Sequence, residues 1–162
     1  MIEEKVISFF KENKLWLATA ESCTGGLISK RITDVPGASS VFGYGLCTYA
    51  NEAKIKLLGV SKDTLDKYGA VSSQTATEMA SGLLKLSDAD VAICTTGMAS
   101  PGGGPTDKPV GLVFIGIASK LGVRVIQLNI GHLGSRDKIR NASADSALNE
   151  ALAEAENILK NN

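Results

Sequence analysis

Three side chains that could act as nucleophiles stand together in the segment Glu21–Gly26, which reads Glu-Ser-Cys-Thr-Gly-Gly. A short apolar run precedes this segment and a helical apolar pattern follows it, so we predict a turn from a strand into a helix. Such a turn presents free backbone N–H groups at the positive end of the helix dipole, where they could hold an anion or an oxyanion. The alternative is that Ser22 or Thr24 only caps the helix and that Cys23 is a small core residue.

A lysine could serve as the base for such a nucleophile. Lys54 ends the segment Tyr49-Ala50-Asn51-Glu52-Ala53-Lys54 at a predicted strand-to-helix junction. If its side chain is buried over the edge of the sheet, desolvation lowers its pKa, and a neutral lysine can accept the proton of a serine hydroxyl. The chain has one histidine, His132, so a histidine mechanism must use that residue or none. The alternatives are a solvated surface lysine, a core aromatic at Tyr49 and a structural or surface His132.

Two further segments could bind an anion. Thr96 and Gly97 open a loop that continues through Pro101-Gly102-Gly103-Gly104-Pro105, and its glycines could form a nest of backbone N–H groups. Arg136 and Arg140 are four residues apart near the start of a predicted helix, so they share a helical face and could clamp a phosphate. The alternatives are an ordinary connection for the loop and surface ion pairs for the two arginines.

Hydrophobic periodicity predicts the elements that position these segments. Predicted helices cover residues 2–13, the stretch from Leu27 to before Pro36, a short helix capped by Asn51 and closed by Gly59, residues 61–68, residues 76–84, and a long final helix from about residue 135. Predicted strands cover residues 15–19, 41–49, 91–95, 110–118 and 123–130, and the last two form a hairpin. Helices alternate with strands in the first half, which indicates a parallel sheet, whereas the hairpin makes at least one strand antiparallel.

The predicted fold class is therefore α/β, a three-layer α/β/α sandwich with a mixed, mostly parallel sheet. We expect a single domain over residues 1–162. Ligands bind beyond the carboxyl ends of the strands in such sheets, so the loops after residues 19, 49 and 96 are the predicted site.

The composition narrows the function classes. Apolar residues make up 44% of the chain and charged residues 21%, which is typical of a globular core. The formal net charge is zero, which argues against a nucleic-acid partner bound by bulk charge, and the longest apolar run is too short to cross a membrane. Cys23, Cys47 and Cys94 form no CxxC pair, so neither a disulfide framework nor a zinc site is expected. We therefore expect a cytoplasmic protein.

Taken together, these motifs resemble the CinA C-terminal domain family. The matching segments are Ala20–Gly26, Thr48–Lys54, Leu58–Val60, Gly69–Ser72, Thr96–Gly97 with the glycine loop, Lys108–Gly111, and Arg136 with Arg140. They occur in the family's order and spacing from about residue 18 to residue 140. The chain looks like the stand-alone form, without the larger molybdopterin-binding-like domain of two-domain members.

The resemblance implies an anticodon-binding-domain-like fold with one antiparallel strand. It also implies hydrolysis of the carboxamide of nicotinamide mononucleotide, with Ser22 as nucleophile, Lys54 as base and Tyr49 as an assisting group, and with no metal or cofactor. The predicted substrate contacts are Thr24, Gly25, Gly26, Asn51, Thr96, Gly97, Arg136 and Arg140. The expected partners are a small pyridine nucleotide and further copies of the chain, as in a dimer, with neither nucleic acid nor membrane.

Two positions depart from the family pattern. Ser100 stands where the family usually has a glycine, and Ser135 stands where it has an aspartate beside the presumed phosphate site. A second hypothesis is therefore a non-catalytic nucleotide-binding or interaction module that kept the fold. A third is an amidase that acts on a related small amide.

Overall fold

Six α-helices and five strands lie within residues 1–100 and 107–161, which are the residues that the computed structural model describes. The helices are α1 (Ile2–Glu12), α2 (Leu27–Thr33), α3 (Asn51–Leu58), α4 (Lys62–Tyr68), α5 (Ser73–Ser87) and α6 (Arg136–Lys160). The strands are β1 (Leu17–Glu21), β2 (Phe42–Cys47), β3 (Val91–Gly97), β4 (Leu112–Ser119) and β5 (Gly122–Asn129). Every predicted element is present, although the bounds move by a few residues.

Two of the predicted element ends are wrong for local reasons. The first strand, predicted from Leu15, begins at Leu17, because the N–H of Leu15 still donates to the Phe10 carbonyl at the end of α1 (2.9 Å). Helix α3, predicted to be capped by Asn51, has Ala50 at its N-cap position and no side-chain cap. Asn51 is instead the first helical residue, so its side chain does not serve as the cap.

The five strands form one mixed sheet in the order β2-β1-β3-β4-β5. β1 is parallel to β2 and β3, whereas β4 is antiparallel to both β3 and β5. Within the described sheet β4 is thus the one strand that runs against the others. The predicted mixed sheet, the parallel first half and the late hairpin are confirmed.

Helices cover both faces of this sheet and make the three layers. Helices α1, α2 and α6 pack on one face through residues such as Phe10 and Leu148. Helices α3, α4 and α5 pack on the other through residues such as Leu65 and Met79. β4 is buried along its whole length, which explains why the central strands read as continuous apolar runs rather than as alternating ones.

Helix α6 is the longest element, with 25 residues. Its buried residues Ile139, Leu148, Ala155 and Ile158 recur at helical spacing and face the sheet, while most exposed positions are charged or polar. None of the helices in the described residues is both long enough and apolar enough to span a bilayer.

The loops that carry the predicted chemistry meet at one edge of the sheet. The carboxyl ends of β1, β2 and β3 lie together there because these strands are parallel. Gly97 pairs with Val113, and Leu112 pairs with Asn129, so β4 begins and β5 ends at the same edge. The topology therefore brings the ends of β1, β2, β3 and β5 and the start of β4 to the same edge of the sheet.

Candidate active site

Ser22 and Lys54 meet at this edge. Ser22 follows β1 directly, and its N–H donates to the Thr95 carbonyl of β3 (3.0 Å), which fixes the start of the turn. Lys54 lies in the first turn of α3, and only 1% of its surface is exposed. Its Nζ lies 3.1 Å from the Ser22 Oγ, across 32 residues of sequence. A possible nucleophile and a possible base are therefore in hydrogen-bond contact.

Two backbone carbonyls hold the Lys54 amine in place. Its Nζ donates to the carbonyl of Thr48 (2.8 Å) and to that of Tyr49 (3.1 Å). As an ammonium, Lys54 donates to both carbonyls and to the Ser22 hydroxyl, whereas a neutral amine that keeps the two carbonyl bonds has its lone pair left for Ser22. The geometry therefore allows proton exchange between the serine and the lysine once the amine is neutral.

The surroundings of Lys54 favour this neutral amine. Burial lowers the pKa of Lys54, because desolvation disfavours the ammonium form. Burial likewise raises the pKa of the Cys23 thiol to about 11 and that of Cys94 to about 12. Both thiols are therefore uncharged at neutral pH and offer the lysine no anionic partner.

The side chain of Glu21 binds the N–H groups at the amino terminus of α2. The buried carboxylate of Glu21 accepts hydrogen bonds from the N–H groups of Ile28 (2.8 Å) and Ser29 (3.0 Å), and from the Ser29 hydroxyl (2.7 Å). The helix dipole thus stabilises this carboxylate, and these donors are not left for a ligand. Sequence reasoning missed this role of Glu21. The available signal was a glutamate at the end of a buried strand, just before a helix.

The hydroxyl and the carbonyl of Thr24 both form hydrogen bonds within the protein. Its hydroxyl shares a hydrogen bond with the Thr95 hydroxyl (2.7 Å), and its carbonyl accepts one from Arg140 Nη2 (2.7 Å). Thr24 is fully buried, and Arg140 is half-buried. These two predicted substrate contacts therefore bond to each other.

A cavity of about 280 Å³ opens beside the serine and the lysine. The predicted site residues that line it are Ser22, Lys54, Tyr49, Asn51, Thr96, Gly97 and Arg136. Those that do not line it are Thr24, Gly25, Gly26 and Arg140. Most of the predicted site thus surrounds one cavity, and the remainder is the turn behind the serine together with Arg140, which bonds to that turn from α6.

Apolar residues that sequence reasoning missed complete this cavity. Ala70, Val71 and Met98 line it. The Thr96 hydroxyl donates to the Ala70 carbonyl (2.7 Å), and Lys108 Nζ donates to the Val71 carbonyl (2.8 Å). These bonds fix the backbone of the 70–71 segment, so the cavity has a firm apolar side.

Arg136 bridges the mouth of the cavity. Its Nη1 donates to the Ser100 hydroxyl (2.9 Å) and its Nη2 to the Tyr49 hydroxyl (3.3 Å). Ser100 therefore has a contact that a glycine at this position would not make. Ser135, the second departure from the family pattern, caps α6 by accepting from the Lys138 N–H (3.2 Å).

Of the remaining candidates, Cys23 lines the cavity, whereas His132, Cys47 and Cys94 do not. His132 is exposed in the 3₁₀ turn Gly131–Leu133 and does not line the cavity. Cys47 is exposed, whereas Cys23 and Cys94 are buried. Across the described residues, His, Cys, Asp and Glu side chains form no group of three that could hold a metal ion. The predicted nest in residues 101–105 lies outside the described part of the chain.

Comparison with known proteins identifies relatives over most of the chain. A protein of Acetivibrio thermocellus named as a competence-damage inducible protein is 52% identical over 136 residues, which are 84% of this chain and 32% of that protein. This chain thus spans about a third of the length of that relative.

Solved structures share the fold. The crystal structure of the competence/damage inducible protein CihA from Agrobacterium tumefaciens matches with a TM-score of 0.90 at 42% identity, over 94% of this chain and 93% of that chain. A CinA superfamily protein from Klebsiella pneumoniae matches with a TM-score of 0.90 at 26% identity, over 96% of each chain. A family model described as CinA C-terminal domain matches residues 1–155. The chain therefore belongs to the CinA C-terminal domain family.

Proposed function

We propose that this chain hydrolyses the carboxamide of nicotinamide mononucleotide to nicotinate mononucleotide and ammonia. The single observation that best supports this reaction class is the 3.1 Å contact between the Ser22 hydroxyl and the buried Lys54 amine. The choice of substrate follows from the resemblance of the surrounding motifs to the amidohydrolases of the family.

Acylation begins when the neutral Lys54 amine accepts the proton of Ser22 while Oγ bonds to the amide carbon. The amide oxygen becomes an oxyanion, and the N–H group of Cys23, which follows the serine in the turn and lines the cavity, is its proposed donor. The carbon–nitrogen bond then breaks as Lys54 returns the proton to the departing nitrogen, assisted by the Tyr49 hydroxyl. Ammonia leaves, and the nicotinoyl ester remains on Ser22.

Deacylation repeats these transfers with water. A water molecule attacks the ester carbon while Lys54 accepts one of its protons. The carbon–oxygen bond to Ser22 breaks, and Lys54 returns the proton to the serine oxygen. The product is a carboxylic acid that loses its own proton at neutral pH, and the serine and the lysine are restored.

The cavity suits a small flat amide whose remaining part stays outside. Its volume of about 280 Å³ is close to the lower end for ligand pockets, and Ala70, Val71 and Met98 give it an apolar side for a pyridine ring. Arg136 is in the first turn of α6, where the helix dipole disfavours a cation by roughly 0.3–1 kcal/mol. A cation kept there at the mouth suits an anionic ligand, so we assign the 5′-phosphate to Arg136.

Activity is expected to rise with pH through the pKa of Lys54, because only its neutral form can accept the serine proton. Burial lowers this pKa, so the active form is already present at a lower pH than it would be for an exposed lysine, whose pKa is about 10.4. The pH profile of kcat/KM measures this value in the free enzyme. If kcat/KM instead rose only near the pKa of an exposed lysine, that result would contradict the assignment of Lys54 as the base.

Ammonia release from a panel of amides tests the proposed function. The panel contains nicotinamide mononucleotide, nicotinamide riboside, the dinucleotide and free nicotinamide. We expect the mononucleotide to have the highest kcat/KM, because it fills the cavity and also reaches Arg136. Release from another amide alone would instead support a different amidase.

One observation favours the second candidate, a module that binds a nucleotide without converting it. The Arg136 guanidinium already donates to the Ser100 hydroxyl, which stands where the family usually has a glycine. Such a module would be stabilised thermally by nicotinamide mononucleotide but would release no ammonia. The same panel, combined with melting temperatures, distinguishes the two candidates.

A further inference from the structure

The two arginines of α6 face different surroundings although they stand one turn apart. Arg136 is exposed and lines the cavity, whereas Arg140 is half-buried and bonds to the turn that carries Ser22. We infer that Arg140 positions this turn for catalysis and does not bind the substrate phosphate. This inference rests on the proposed function for the role of Ser22.

The contact of Arg140 is with the backbone. Its Nη2 donates to the carbonyl of Thr24 (2.7 Å), a fully buried residue, across 116 residues of sequence. The same carbonyl also accepts from the Leu27 N–H (3.1 Å), at the start of α2. One carbonyl thus joins α6 to the junction between the turn and the helix that follows it.

This contact reaches the nucleophile through one peptide group. The carbonyl of Thr24 and the N–H of Gly25 belong to the same planar peptide, so Arg140 holds both in orientation. The Gly25 N–H donates to the Ser22 carbonyl (3.1 Å). A chain of two hydrogen bonds therefore runs from the guanidinium to the backbone of the serine.

Gly25 allows the guanidinium to come this close. Its φ is +59°, in the left-handed region, and a Cβ on it would lie 3.3 Å from Arg140 Nη2. The missing side chain at Gly25 therefore leaves room for the guanidinium beside the turn. The other face of the turn is fixed to β3 by the hydroxyl pair of Thr24 and Thr95 (2.7 Å), so Arg140 supplies the fixing contact from the α6 side.

Kinetics of two substrates separate positioning from phosphate binding. We compare R140Q with R136Q, using nicotinamide mononucleotide and nicotinamide riboside, which lacks the phosphate. R140Q is expected to lower kcat by about 10- to 100-fold with both substrates, because a small displacement of the serine affects every amide equally. R136Q is expected to raise KM for the mononucleotide more than for the riboside.

Two further variants make the comparison specific. R140K keeps a donor that can reach the Thr24 carbonyl and is expected to recover part of the lost kcat. K138Q removes an exposed positive charge from the same turn of α6 and is expected to behave like the wild type. A rise in KM for the mononucleotide alone in R140Q would overturn the inference, because that result is the signature of a phosphate ligand.

A second readout does not depend on turnover. Cys23, next to Ser22, is buried, while Cys47 is exposed and serves as the reference thiol. In the folded protein, R140Q is expected to speed alkylation of Cys23 several-fold relative to Cys47, and K138Q is expected to leave the ratio unchanged. Equal ratios in R140Q and the wild type would overturn the inference, whereas absence of ammonia release from the wild type would overturn only the proposed function.

Discussion

Replacing Ser22 with alanine is expected to lower ammonia release from nicotinamide mononucleotide by about 10⁴-fold or more, because the covalent route is lost. Replacing Lys54 with methionine keeps the side-chain length but removes the base, and is expected to lower kcat by about 10²- to 10⁴-fold. The double variant is expected to lose little more than S22A, since the two residues act as one unit. Steady-state ammonia assays measure all three effects.

Matched controls separate chemistry from folding. K56M changes an exposed lysine on the same helix and is expected to keep full activity, and circular dichroism is expected to show native helix content in every variant. Unchanged turnover in S22A would remove the serine from the nucleophile role and turn attention to Cys23 or Thr24. If activity survived alkylation of Cys23, the thiol would be eliminated as well.

Replacing Gly82 with alanine is expected to lower both the stability of the protein and its kcat. A Cβ at this position in α5 would lie 1.7 Å from the carbonyl oxygen of Leu58, the last residue of α3. One helix must therefore move, and the expected cost is about 2–3 kcal/mol of unfolding free energy. Helix α3 also carries Lys54, so its displacement lengthens the 3.1 Å contact with Ser22 and lowers kcat.

The neighbouring residue supplies the control for Gly82. Ser81 is exposed on the same turn of α5, and S81A is expected to change stability by less than about 0.5 kcal/mol. Thermal melts and urea titrations measure both variants. Helix propensity alone would make G82A about 1 kcal/mol more stable than the wild type, and that result would contradict the predicted clash.

The order of helices and strands could be predicted because long buried patterns determine it. Helix α6 and strand β3 have continuous or periodic apolar positions that few other structures could bury. The meeting of Ser22 and Lys54 was predictable for a topological reason, since each follows one of two neighbouring parallel strands. The ends of elements were less predictable, because hydrogen bonds such as that from Leu15 to Phe10 extend a helix end without changing the apolar pattern.

The contacts that support the serine could not be predicted in this way. The bond from Arg140 to Thr24 joins residues 116 positions apart, and their spacing is set by the packing of α6 against the sheet. From the sequence, the spacing of Arg136 and Arg140 indicated a shared face, but not that one guanidinium would be half-buried and the other exposed. The apolar side formed by Ala70 and Val71 depended equally on tertiary contacts, those of Thr96 and Lys108.

The bridge that Arg136 makes between Tyr49 and Ser100 fixes a positive charge at the cavity entrance. The two hydroxyls use two of the five N–H donors of the guanidinium and hold it in place at the entrance. A phosphate dianion can accept two parallel N–H bonds from the guanidinium and adds a charge–charge attraction that an uncharged acceptor lacks. If the proposed function holds, the preference for phosphorylated over unphosphorylated ligands is expected to weaken as added salt screens the guanidinium.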